Sequence, residues 1–204
     1  MMNKKLAALA ALAAALSATP ADAQEVYKIG ISAGLTGYAA TVDRGWRDGV
    51  EVAAAALNAI GGIMGRKIEV ITEDNKSEPQ EAVTVYRKMI SSDKADIFLS
   101  GCVSAGNFAG APLTVRAQIP MVLCSILPQN ADHVKWAFST LPPAGFEVST
   151  RLSYLKDRTQ VKKIGVLHDP SPYAVLQKNI AGKTAADYAS NWSASSSTSR
   201  TTPI

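Results

Sequence analysis

Cysteine and histidine are scarce in this chain, two of each in 204 residues. Cys102 and Cys124 do not form a CxxC pair, and with only His133 and His168 elsewhere the spacing of a metal site is missing. There is no GxGxxG, no GxxxxGKS or GxxxxGKT and no HExxH, so dinucleotide, nucleotide and zinc-protease chemistry lack their motifs. Blocks of one charge are missing too. The formal charge is +4, and setting aside Lys4, Lys5 and Asp22 near the N-terminus leaves +3. A surface that tracks phosphates clusters Lys and Arg on one face, so nucleic acid is not an expected partner. Beyond Leu16 no uninterrupted apolar run approaches about 18 residues, the length that a membrane-crossing helix needs.

The long apolar run that does exist stands at the start. Lys4 and Lys5 precede Leu6 to Leu16, and Ala21-Asp22-Ala23 supplies a small-x-small cleavage site. This pattern predicts a secretory signal peptide over 1–23, a mature chain from about Gln24, and a bacterial periplasmic location. In that oxidising compartment Cys102 and Cys124, each ending a predicted strand, fit either a disulfide or two small buried apolar side chains. An apolar content of 47% is ample for a globular core.

The rest of the chain alternates short apolar runs with longer amphipathic segments. Val26 to Ile31, Lys67 to Thr72, Ile97 to Leu99, Met121 to Leu123 and Lys163 to Leu167 read as strands. Helices are predicted from Asp43 to Ile60, after the capping-box-like Ser77-Glu78-Pro79-Gln80, over Ala105 to Ala117, around Phe146 to Leu155, and from Tyr173 to Tyr188. Such alternation predicts an α/β fold with a mainly parallel sheet and helices on both faces. The rhythm pauses at Thr140-Leu141-Pro142-Pro143, which divides the chain into a first lobe, 24–142, and the beginning of a second, 143–189. One strand and two helices are too little to bury a core, so the second lobe reads as truncated, with apolar surface left exposed. Residues 190–204 hold six Ser and three Thr without apolar periodicity. They read as a low-complexity tail, and a reading frame that slips near Ala189 accounts for so abrupt a change in mid-architecture.

In an open parallel sheet, ligands bind beyond the carboxyl ends of the strands. That rule selects Gly34 to Tyr38, Asp74 to Ser77, Gly101 to Asn107, Cys124 to Leu127 and His168 to Tyr173. Among these, Gly101-Cys102-Val103-Ser104-Ala105-Gly106 leaves a strand and opens a helix. Small residues admit a ligand to the backbone, the helix N-terminus offers free N–H groups, and Ser104 adds a hydroxyl, a set that suits a carboxylate. An N-cap serine without a ligand would look the same. A serine hydrolase is the remote alternative. The nucleophile elbow needs G-x-S-x-G, here the upstream glycine lies one residue too far, and a triad of Ser104, Asp132 and His168 spans both lobes. His168-Asp169 reads as a structural turn, and Trp46 as core-facing or lining a cleft.

Tyr27-Lys28-Ile29-Gly30 through Leu35-Thr36-Gly37, then Asp48-Gly49, and Asn58-Ala59-Ile60-Gly61-Gly62-Ile63-Met64-Gly65 carry a resemblance. So do Asp74 with Pro79 and Ala82-Val83, the Cys-Val-Ser-Ala turn at Cys102, Ile119-Pro120, and His168-Asp169 followed by Tyr173. In order and spacing they resemble the type I periplasmic binding proteins of the branched-chain amino acid (leucine/isoleucine/valine) uptake family. The resemblance implies a two-lobed clamshell that captures a small solute and delivers it to the membrane permease subunits of an ABC importer, without catalysis and without a cofactor. It implies that Ser104, with Ala105 beside it, binds a carboxylate, that Ser125 and Leu127 lie on the next ligand loop, and that Tyr173 covers the ligand from the second lobe. Val42, Tyr38 and Trp46 flank another aromatic contact. Leu127 stands where a hydroxyl residue is expected and Val42 where an aromatic is. An aromatic or other non-amino-acid carboxylate is therefore carried beside a branched-chain amino acid, and a soluble sensor domain beside the transport receptor.

Overall fold

The computed structural model describes residues 26–127, 133–161, 163–188 and 193–198. The predicted leader, 1–23, lies outside them. Strand β1 (Tyr27–Ala33) pairs on one side with β2 (Ile68–Asp74) and on the other with β3 (Ile97–Ser100). Next come β4 (Met121–Leu123) and β5 (Ala137–Ser139), giving the all-parallel order β2-β1-β3-β4-β5. Parallel neighbours require crossovers, and the helices α1 (Ala40–Ala59), α2 (Pro79–Lys88) and α3 (Ser104–Ala117) provide them. Helix α2 runs on through Met89–Asp93 in wider π-type turns and stops at Lys94, whose φ of 57° is left-handed. After the short α4 (His133–Trp136) and β5, the chain forms α5 (Ala144–Arg158), β6 (Lys163–His168) and α6 (Pro172–Tyr188).

Strand side chains alternate between faces, and the two faces of this sheet are filled differently. On the α2 and α3 side, Tyr86, Met89, Phe98, Ala111, Met121 and Leu123 are fully buried in one cluster. The rings of Tyr86 and Phe98 meet at 5.0 Å and 53°. Two glycines make room for them: a Cβ on Gly30 would stand 2.8 Å from the Phe98 ring, and one on Gly110 would stand inside the Tyr86 ring. On the α1 side, Ile29 and Leu99 face Trp46, Val50, Ala53 and Leu57 across an apolar groove of about 420 Å³.

Three local expectations change. Ser77 does not cap α2. Glu78 occupies the N-cap with Pro79 following, while the Ser77 hydroxyl is drawn across to the β1 loop, where it donates to Thr36 O and accepts from the Ala39 N–H. Strand β5 was not predicted; it lies just before Thr140-Leu141-Pro142-Pro143, where the alternation was read as pausing. Within the stretch read as a tail, Ser193–Thr198 form β7, parallel to β6, with Ser193 opposite Lys163 and Thr198 opposite His168. Ladder hydrogen bonds use only backbone groups, so a serine run without apolar periodicity can still pair, and a helix after β6 leads naturally to a parallel neighbour. A second small core joins Val148 and Leu152 of α5 to Ala181 and Ala185 of α6.

Candidate functional site

The carboxyl ends of β1 to β4 converge on one edge of the sheet, and their loops are tied together by buried side chains. Asp74 ends β2 and holds the β1 loop. Its Oδ1 accepts the N–H groups of Leu35 (2.9 Å), Thr36 (3.2 Å) and Lys76 (2.8 Å), and its Oδ2 accepts the Thr36 hydroxyl at 2.6 Å. Burial raises the pKa of this carboxyl, but the Thr36 hydroxyl and the three N–H groups together outweigh it and hold it below the ordinary range.

Asp43, in the first turn of α1, is 1% exposed. Its Oδ2 accepts the Gly34 N–H and its Oδ1 the Cys102 N–H, both at 2.7 Å, so one carboxylate joins the loops after β1 and β3. Burial pushes its pKa up by more than these two donors pull it down. Gly101 is needed beside it, because a Cβ there would lie 2.7 Å from the Asp43 Cγ. Cys102 is also disulfide-bonded to Cys124, which adds the β4 loop to the same assembly. Of the two sequence alternatives for these cysteines, the structure takes the bonded one.

A second network lies beneath the loops. Asn107 Nδ2 donates to Gly101 O (2.7 Å) and Ser125 Oγ (2.8 Å), while its Oδ1 accepts from the Tyr86 hydroxyl at 3.4 Å. Tyr86 also shares a 2.6 Å hydrogen bond with Ser100 Oγ, and burial pushes its phenol pKa far up. Asn75 Nδ2 donates to Ser32 Oγ (3.1 Å), and Asn75 Oδ1 accepts the Ser77 N–H.

On this frame the predicted residues divide. Ser104 is the first residue of α3, with Val103 as N-cap, and no capping hydrogen bond involves a side chain. The first helix-closing bond runs from Asn107 N to Val103 O, so the N–H groups of Ser104, Ala105 and Gly106 precede the intrahelical ladder. The Ser104 hydroxyl has no hydrogen-bond partner among the described residues. Tyr38 is 72% exposed at the rim. Partial desolvation and then the carboxylates of Glu78, Asp169 and Asp43 raise its phenol pKa. Tyr173, in the first turn of α6, is held by its hydroxyl, which donates to Glu147 Oε2 at 3.1 Å; Gln177 Nε2 donates to the same oxygen at 3.0 Å.

Three predicted residues turn elsewhere. Trp46 donates its indole N–H to Leu99 O at 3.1 Å, on the α1 face of the sheet. Leu127 is buried in the core cluster. Ser125 is 2% exposed, its hydroxyl engaged by Asn107 and its carbonyl accepting the Ser139 hydroxyl at 2.7 Å. The hydrolase triad gains nothing: His168 Nδ1 lies 2.8 Å from Asp169 O in its own turn, and Asp132 is outside the described residues. Among the described residues no His, Cys, Asp and Glu cluster could hold a metal ion, and no helix is long and apolar enough to cross a membrane.

Sequence reasoning missed Asp43 and Asn107. An acidic residue in a first helical turn and an asparagine on a buried helix face were the available signals, and neither carries a motif.

Comparison with known proteins places this architecture. An amino acid binding protein of Pseudomonas aeruginosa is 28% identical over 84% of this chain and 47% of its own length. The Leu/Ile/Val-binding protein of Escherichia coli is 24% identical over 84% of this chain and 47% of its own length. Among solved structures, the branched-chain amino acid transporter substrate-binding protein of Streptococcus pneumoniae, in complex with isoleucine, superposes with a TM-score of 0.71 at 26% identity. It covers 87% of this chain and 50% of that one. The chain thus spans about half the length of the relatives it matches. The model of the periplasmic binding protein family matches residues 26–196, the stretch that holds the five-stranded sheet, the loops at its carboxyl ends, β6 and the start of β7, and the chain belongs to that family.

Proposed function

We propose that this chain forms the first lobe, and the beginning of the second, of a periplasmic receptor that captures a small carboxylate and hands it to the permease subunits of an ABC importer. The observation that carries the reading is the start of α3. The Ser104 hydroxyl and the N–H groups of Ser104, Ala105 and Gly106 lie at the carboxyl edge of the sheet, where a helix N-terminus favours a negative charge. Tyr38 stands at the rim, and Tyr173 follows the turn that carries Asp169.

A branched-chain amino acid is the first candidate ligand, because the Escherichia coli relative is a Leu/Ile/Val-binding protein and the Streptococcus pneumoniae structure holds isoleucine. A non-amino-acid carboxylate is the second. Leu127 is buried in the core, and the Ser125 hydroxyl oxygen and carbonyl already accept from Asn107 and Ser139, so the β4 loop lends few polar groups to an ammonium. The binding role of the family leaves no step for catalysis, and hinge closure of two α/β lobes is the working motion.

Calorimetry on the full-length protein with L-leucine, L-isoleucine, L-valine and benzoate tests the reading. Ser104→Ala is expected to weaken binding of the ligand that is found by about 1–3 kcal/mol, the cost of an unpaired buried acceptor. Unchanged affinity would remove Ser104 from the site.

A further inference from the structure

We infer that Asp43 is a positioning residue for ligand capture, setting the direction in which the first turn of α3 presents its N–H groups and the Ser104 hydroxyl. This inference rests on the reading of α3 as the anion site. The residues that would touch a ligand belong to loops and a helix end, and such segments open at low free energy unless something holds them. Asp43 holds two of them at once. It is 1% exposed, and its two oxygens take the Gly34 and Cys102 N–H groups at 2.7 Å. The Cys102 N–H belongs to the 101–102 peptide, two residues before Ser104, so fixing that peptide plane fixes the entry to the helix.

The surroundings are shaped for this role. Gly101 leaves space for the carboxylate that any Cβ would take. The Gly101 carbonyl is gripped from the other side by Asn107 Nδ2 at 2.7 Å, so the peptide is held at both its oxygen and its N–H. Cys102 is further bonded through sulfur to Cys124. A carboxylate at the N-terminus of α1 is favoured by that helix's own dipole, which offsets part of its burial.

The test compares the full chain with Asp43→Asn and Gly101→Ala, the second keeping the carboxylate but pushing it aside. In nitrogen-15 spectra the Gly34 and Cys102 amide protons are expected downfield, as donors to a carboxylate, and both are expected to move upfield in Asp43→Asn. Hydrogen exchange at Asn107, whose N–H closes the first turn of α3 on Val103 O, is expected to rise about ten-fold in both variants, the equivalent of one lost buried hydrogen bond, while Ile31 and Phe98 in the sheet stay protected as before. Amide protons that do not move, or exchange that rises equally at Ile31 and Phe98, would overturn the inference and leave Asp43 a purely structural residue. Isoleucine binding forms a separate arm. If the unmodified protein binds no isoleucine, leucine or benzoate, the ligand reading fails, while the amide and exchange data still decide whether Asp43 positions α3.

Discussion

Removing the Cys102–Cys124 bond should cost the chain a measurable share of its stability. The crosslink has a sequence separation of 22. Closing a loop of that size withdraws about 11 cal/mol/K of entropy from the unfolded ensemble, or about 3 kcal/mol near room temperature. For a chain of this length that corresponds to a fall of about 6–12 °C in Tm. The double variant Cys102→Ser with Cys124→Ser keeps both sites small and removes only the bond. Urea unfolding followed by tryptophan fluorescence is a suitable assay, since Trp46 is half-buried and anchored to Leu99 O in the first lobe. Adding reductant to the parent protein should reproduce the curve of the double variant, and reductant should leave the double variant unchanged. A loss below about 1 kcal/mol would refute the reasoning, because it would mean that the bond does not restrain the unfolded chain as loop closure requires.

Other expectations follow from single contacts. Gly110→Ala drives a methyl group into the Tyr86 ring, which is buried and cannot retreat without breaking its hydrogen bond to Ser100, so a loss of about 1–3 kcal/mol or more is expected by chemical denaturation. A change within experimental error would show that α2 and α3 slide apart freely. Asp74 has a depressed pKa, so its contribution is fully present above the unfolded carboxylate value of 3.8 and is lost as pH falls through the lower folded value. Urea midpoints measured between neutral pH and pH values of about 2 to 3 should therefore converge for the parent and Asp74→Asn. Parallel curves would deny Asp74 this role.

The order of elements was legible because it depends on local geometry. Helix and strand periods are properties of neighbouring residues, so Trp46, Val50, Ala53 and Leu57 declared α1, and Met121 to Leu123 matched β4 residue for residue. The loops of interest were legible for a related reason: in a parallel sheet the carboxyl ends share one edge, so knowing the strands locates the site. The same local logic failed where side chains act at a distance. Ser77 matched a capping pattern, yet its hydroxyl found Thr36 O, 41 residues away in sequence, a nearer partner in space than the helix it precedes.

By itself, then, the amino-acid sequence determined the α/β class, the alternation that makes the sheet parallel, and the placement of Ser104 at the mouth of a helix. Each follows from spacing along the chain. Tertiary structure alone decided that Cys102 and Cys124 are joined and that Ser125 and Leu127 turn inward. It also decided that Asp43 serves loops 9 and 59 residues distant. Those outcomes depend on which buried polar groups meet once the strands align, since each must find a partner inside and the chain's linear order does not say which one is nearest.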